Sequence, residues 1–149
     1  MEENNYEKIP VTIGIDPGTH TGLALYYPTK AKKLYLYTLK IHEAMEKIND
    51  MFSDYYTEIE LVVIENPNQV RFFSDKRKAN AQAQGAGSIK RDFKIWMDFL
   101  ADKKIKVVRA APSKQRNGYA KDLKIFERIT GYGRRSSEHA RCAAMLIWK

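Results

Sequence analysis

The sequence predicts a single α/β domain: a five-stranded mixed sheet covered by helices, in the order βββαβαβαα. Three observations carry that prediction. The chain opens with three strand-like segments joined by short turns, which favours an antiparallel meander. Later apolar runs alternate with segments of helical spacing, the pattern of parallel strands joined by crossing helices. And 149 residues, 44% of them hydrophobic, suffice to bury roughly two-thirds of the unfolded surface in one core.

The elements follow in order. Residues 1–10 read as a polar, flexible arm, and 11–149 as the domain. Val11 to Ile15 forms a strand that ends on the turn signature Asp16-Pro17-Gly18. Gly22 to Tyr27 is the second strand. Lys33 to Lys40 is the third, with Leu34, Leu36 and Thr38 alternating against Tyr35, Tyr37 and Leu39. Ile41 to Tyr55 carries Ile41, Met45, Ile48 and Phe52 at helical spacing. Leu61 to Ile64 is a continuous apolar run, as expected for a strand covered on both faces, and it ends on Glu65. A basic loop precedes a long helix over Ala79 to Ala101, and Ile105 to Arg109 is the fifth strand. Two helices close the chain, Lys121 to Ile129, stopped by Gly131, and Ser136 to Trp148, capped by Ser136 or Ser137.

Composition narrows the partners. The net charge is +8, from 26 Lys and Arg against 18 Asp and Glu. A surplus of that size favours a polyanion, because each cation that meets a phosphate releases condensed counterions; it also fits a merely soluble basic protein. The single cysteine excludes an internal disulfide. No apolar run reaches membrane-spanning length, and Met1 to Pro10 is polar and acidic, unlike a signal peptide. A cytoplasmic protein without a membrane partner is the expectation.

Asp16 and Glu65 each stand at the carboxyl end of an apolar strand. If those strands are neighbours, two carboxylates share the sheet rim. Such crowding is costly unless a cation neutralises it, and hard oxygen ligands suit Mg²⁺ or Mn²⁺. The bland alternative is a turn starter and a residue before Asn66-Pro67. In the last helix, His139 and Cys142 are three apart and share a face. Glu138 is rotated from His139 by about 100°. Ala140, Ala143 and Ala144 would let this helix lie close to the sheet.

In this order the residues resemble a known family. Gly14-Ile15-Asp16-Pro17-Gly18 with Thr21-Gly22 resembles the first motif of RuvC-like Holliday junction resolvases, which have the RNase H-like fold. Ile64-Glu65 resembles the second motif, and Ala83-Gln84-Gly85-Ala86-Gly87 the glycine-containing start of the family's long helix. Phe126, Thr130-Gly131-Tyr132, Arg135-Ser136-Ser137-Glu138-His139 and Arg141-Cys142-Ala143-Ala144 are similar to phage and prophage versions. The resemblance implies metal binding by Asp16, Glu65 and His139, with Cys142 at the place of a final aspartate. It implies a basic catalytic residue at Lys114, after Ala110-Ala111-Pro112-Ser113, and an aromatic near the junction centre at Phe72 or Phe73. Glu138 is shared with that branch of relatives, as a ligand or in a structural role. Cys142 departs from the pattern: a soft sulfur stands where a hard carboxylate is expected. Either Glu138 has taken over, or residue 142 faces the ions with poor affinity, or it is a small residue packed in the core.

The implied activity is a crossover junction endodeoxyribonuclease, cutting by metal-assisted phosphodiester hydrolysis to leave 5′-phosphate and 3′-hydroxyl ends. Two Mg²⁺ or Mn²⁺ ions about 4 Å apart would serve each site. Paired cuts in a near-twofold junction call for a C₂ homodimer, and the long helix with Phe93 and Trp96 is a candidate interface unless those rings are ordinary core. Arg71, Lys76, Arg77, Lys78, Lys90, Arg91, Arg116, Arg134 and Arg135 are candidate phosphate contacts, with Phe72 and Phe73 as stacking platforms. Two other readings stay open: a cleavage-impaired junction-binding protein, and a nuclease directed at forks or flaps. Asp16-Pro17-Gly18-Thr19 also resembles the phosphate loop of an ATP-binding module of the actin type, but that fold needs two such domains, more than 149 residues supply.

Overall fold

β1 (Ile9–Asp16), β2 (His20–Tyr27) and β3 (Lys33–Lys40) form the antiparallel meander, and β4 (Thr57–Glu65) and β5 (Val107–Ala110) extend it as parallel strands beyond β1. The spatial order is β3-β2-β1-β4-β5. Helices α1 (Ile41–Ser53), α2 (Lys76–Asp102), α3 (Lys114–Lys121), α4 (Leu123–Thr130) and α5 (Glu138–Ile147) complete the chain. This computed structural model describes residues 6–67 and 76–149, residues 76–86 by their backbone alone. The mixed five-stranded sheet covered by helices is the RNase H-like arrangement expected from the sequence.

The alternation of side chains along each strand decides which helices cover which face. Val11, Ile13, Ile15, Leu23, Leu25, Val62 and Ile64 point to one side, where they meet Ala44 and Ile48 of α1 and Phe93, Trp96 and Leu100 of α2. Ala24 and Val63 point to the other, against Phe126 of α4 and Ala143, Ala144 and Ile147 of α5. Phe93 and Trp96 are therefore core residues and no part of an interface. Among the described residues, the large apolar side chains that α2 turns outward are Ile89 and Ile95.

Several boundaries differ from the expected ones. β1 begins at Ile9, so the last two residues of the predicted arm belong to the sheet: Ile9 pairs with Thr57 and Pro10 with Glu58. That pairing also starts β4 four residues before Leu61, in a stretch where charged residues alternate with Thr57 and Ile59. α3 is not expected from the sequence at all. Its residues, KQRNGYAK, bury only Ala120 and have no apolar stripe; the Ser113 side chain, which accepts a hydrogen bond from the Arg116 N–H, is what starts it. The helix count after β5 is thus three rather than two. Among the described residues no helix is long and apolar enough to cross a membrane.

Candidate functional site

β1 and β4 are neighbours, parallel, with Ile15 opposite Ile64. The next residue of each is a carboxylate, so Asp16 and Glu65 lie level on strands about 4.8 Å apart. Ile15 and Ile64 face α1 and α2; by alternation Asp16 and Glu65 face α5. Thr21, fully buried, donates from Oγ1 to the Gly18 carbonyl at 2.9 Å and pins the turn that follows Asp16.

The sheet is left nearly bare under the start of α5. A Cβ on Gly22 would lie 2.0 Å from the His139 carbonyl oxygen, and one on Gly14 would lie 2.1 Å from that of Ala143. Without those two methyl groups the helix backbone rests directly on β1 and β2. Ser137 caps α5, accepting from the Ala140 N–H at 3.1 Å, while its hydroxyl also contacts that of Thr38 on β3. Ser136 takes a different part: its carbonyl accepts from Arg141, whose Nε also donates to the Ala120 carbonyl at 2.6 Å. One buried guanidinium thus ties α3 to the first turn of α5.

This placement brings His139 to the strand ends. Its Nδ1 is 3.1 Å from Asp16 Oδ2, with the imidazole side chain 57% exposed and the aspartate 18%. Burial pushes the Asp16 carboxyl above its usual range, an effect the hydrogen bond from His139 only partly offsets and the charge of Glu138 reinforces. Glu65 is also raised, first by burial and then by Asp16, while Arg116 pulls it down. Cys142 is half-buried one helical turn from His139, and its thiol is pushed up to about 12, first by burial and then by Asp16, Glu65 and Glu138. With its proton held that firmly, the residue is a neutral thiol near neutral pH.

The donor set fits a hard divalent cation. Both carboxylates are desolvated and Asp16 raises the proton affinity of Glu65, a demand that a cation satisfies, and an imidazole stands at the rim. Among the described residues no three His, Cys, Asp and Glu side chains close into a ready cage.

The other predicted residues fall into three groups. Lys114 is exposed as the first residue of α3, reached from β5, whose Ala110 pairs with Glu65. Arg134 and Arg135 are exposed between α4 and α5, and Lys90 and Arg91 are exposed on α2. Arg71, Phe72 and Phe73 lie outside the described residues; Lys76, Arg77 and Lys78 open α2, and their side chains lie outside them too. Arg116 is closer to the acids than expected. Its guanidinium donates to the Ala111 carbonyl, it lowers Glu65, and its buried Nε has no hydrogen-bond partner among the described residues. No spacing rule in the sequence connects Arg116 to Glu65, because the link runs through the β4–β5 pairing.

No protein-family model matches the chain, and no curated protein does. Solved structures similar to it over most of their length include two of RuvC. One is T. thermophilus RuvC in complex with Holliday junction substrate, 18% identical, covering 91% of this chain and 88% of that one, with a TM-score of 0.49. The other is a Thermus thermophilus RuvC structure, also 18% identical, covering 91% and 92%, with a TM-score of 0.44.

Proposed function

We propose that this chain is a divalent-metal-dependent endonuclease that cuts branched DNA, resolving four-way junctions as a homodimer in the cytoplasm. The observation that carries the reading is the pair of desolvated carboxylates, Asp16 and Glu65, level on adjacent strands with His139 bonded to the first. The +8 charge supports a nucleic-acid substrate, and the motif resemblance around Asp16, Glu65 and His139 supports the branched one.

In this reading Asp16, Glu65 and His139, with Glu138 at the rim, hold two Mg²⁺ or Mn²⁺ ions, which when bound supply an activated water and stabilise the leaving 3′ oxygen. Asp16 is oriented by the His139 Nδ1 bond, and Thr21 keeps the following turn out of the way. Lys114 and Arg116 meet the charge of the scissile phosphate from the β5 side. The exposed Arg134, Arg135, Lys90 and Arg91 bind flanking phosphates, which positions the substrate without reading its sequence.

Cys142 favours a second reading, a protein that binds junctions but cuts them poorly. A neutral thiol beside three carboxylates adds no hard ligand. One assay separates the readings: labelled four-way junction, linear duplex and flap, each incubated with Mg²⁺ and with Mn²⁺. Paired symmetric nicks in the junction support the resolvase, binding without nicks the impaired binder, and preferential flap cutting a fork- or flap-directed nuclease. If Asp16→Asn cut at the normal rate, the site assignment would fall.

A further inference from the structure

At the opposite end of β3 from the carboxylates, a cleft of about 370 Å³ opens between the β2–β3 turn and the loop joining α4 to α5. Its charged lining is entirely positive: Lys32, Lys33 and Arg134. Among the described residues none of the three has an ion-pair partner. Like charges gathered without a counter-charge repel, so the cleft is poised for an anion. Its walls are fixed. Tyr132 packs edge-on against Phe126 at 6.4 Å on the α5 face of the sheet, so that wall of the cleft stands on an anchored ring, while Tyr35, which borders the cleft at the strand edge, packs edge-on against Tyr27 at 5.8 Å on the opposite face. Lys32 holds a left-handed backbone, φ 44°, in a turn closed by its N–H on the Thr29 carbonyl at 2.8 Å. That conformation is disfavoured for a lysine, and here it keeps two consecutive cations at the tip of the hairpin.

We propose that this cleft is a second phosphate-backbone site, which grips the DNA arm leaving the carboxylate pair. The proposal rests on the nuclease reading above and adds where the arm runs. Thr38, Gly22 and Asp16 form one row across the sheet. Leu34, in the lining of the cleft, is four residues from Thr38 along β3, about 13 Å. That separation matches about four base-pair rises of 3.4 Å. The loop from Arg134 to Ser137 runs beside it, with Ser137 on Thr38 and His139 just beyond. A continuous path thus joins the candidate centre to the cleft on the α5 side of the sheet.

The test uses the full chain in EDTA, with fluorescence anisotropy on linear duplex and on four-way junction across a KCl series. The triple variant Lys32→Ala, Lys33→Ala, Arg134→Ala should lose at least tenfold in affinity for both DNAs near 100 mM salt. Its log–log salt slope should shrink by about 2 to 3, since each neutralised phosphate contributes about 0.9. Its Tm should stay level or rise, because unpaired like charges are removed. A control lacking three exposed cations elsewhere, Lys8→Ala, Lys104→Ala, Lys106→Ala, should keep the slope. Unchanged binding by the cleft variant, or an equal loss in the control, would overturn the cleft and leave the nuclease reading standing. A wild-type protein that binds neither DNA would overturn both.

Discussion

Asp16 and Glu65 hold their charges in surroundings that resist them, and their proton affinities are raised in the fold. The folded state therefore keeps protons that the unfolded chain releases above its ordinary values of 3.8 and 4.5. The stability linked to those protons is fully present below those values and is lost as pH rises through the folded ones. In EDTA, Asp16→Asn should accordingly raise the Tm near neutral pH, with the gain shrinking as pH falls toward 4; calorimetry at several pH values reads this directly. Mg²⁺ or Mn²⁺ should raise the Tm of the wild type and much less that of the variant. Cys142 makes the sharper case. Cys142→Asp adds a carboxylate among Asp16, Glu65 and Glu138, so it should lower the Tm without metal and make it strongly Mg²⁺-dependent. The Mg²⁺-supported cleavage rate should rise with it. A variant less stable at every Mg²⁺ concentration and no more active would return residue 142 to a packing role and leave Glu138 as the third carboxylate.

α5 carries His139, Glu138 and Cys142, and two strand glycines set its depth. Gly14→Ala or Gly22→Ala would place a methyl about 2 Å from a helix carbonyl oxygen. Neither neighbour is the flexible end of a side chain, so the helix must lift. Each change should destabilise the protein by about 3 kcal/mol or more, and Gly22→Ala, beside His139, should weaken metal binding as well; urea melts and Mn²⁺ titration measure the two effects. Arg141 holds the same helix from its other side. Arg141→Ala leaves the Ala120 and Ser136 carbonyls without their donor and should cost about 2–4 kcal/mol. Arg141→Lys should recover only part, because an ammonium lacks the planar fork that serves both carbonyls.

For the whole molecule, the charge surplus and the position of the acids at the carboxyl ends of the central strands β1 and β4 make the proposed DNA binding electrostatic and shape-dependent. Affinity for a four-way junction should exceed that for linear duplex of equal length and fall steeply with salt. Equal affinities at moderate salt, in a competition assay, would count against junction recognition. The proposed homodimer would need a surface, and with Phe93 and Trp96 inside the core, the outward Ile89 and Ile95 are the large apolar side chains that α2 offers among the described residues. Ile89→Glu with Ile95→Glu should convert a dimer to monomer in sedimentation while leaving the Tm within a few degrees. A dimer that survives both changes lies elsewhere on the molecule.

The sequence by itself determined the sheet and the candidate acids. Alternation in Lys33 to Lys40 and the apolar runs ending at Asp16 and Glu65 are local patterns, and local patterns are written in consecutive residues. The small residues Ala140, Ala143 and Ala144 likewise announced a close-lying helix, although the glycines that receive it, Gly14 and Gly22, show their purpose only when α5 is seated. α3 is hidden in the sequence because a short, polar helix on the surface has no stripe to betray it. The contacts that give the site its character were decided by tertiary structure alone. His139 meets Asp16 across 123 positions of chain, the charge of Arg116 acts on Glu65 because β5 pairs with β4, and Cys142 feels three carboxylates from three elements. Charge and burial act through space, so the sequence could nominate these residues but could not say which would come together or in which direction each proton affinity would move.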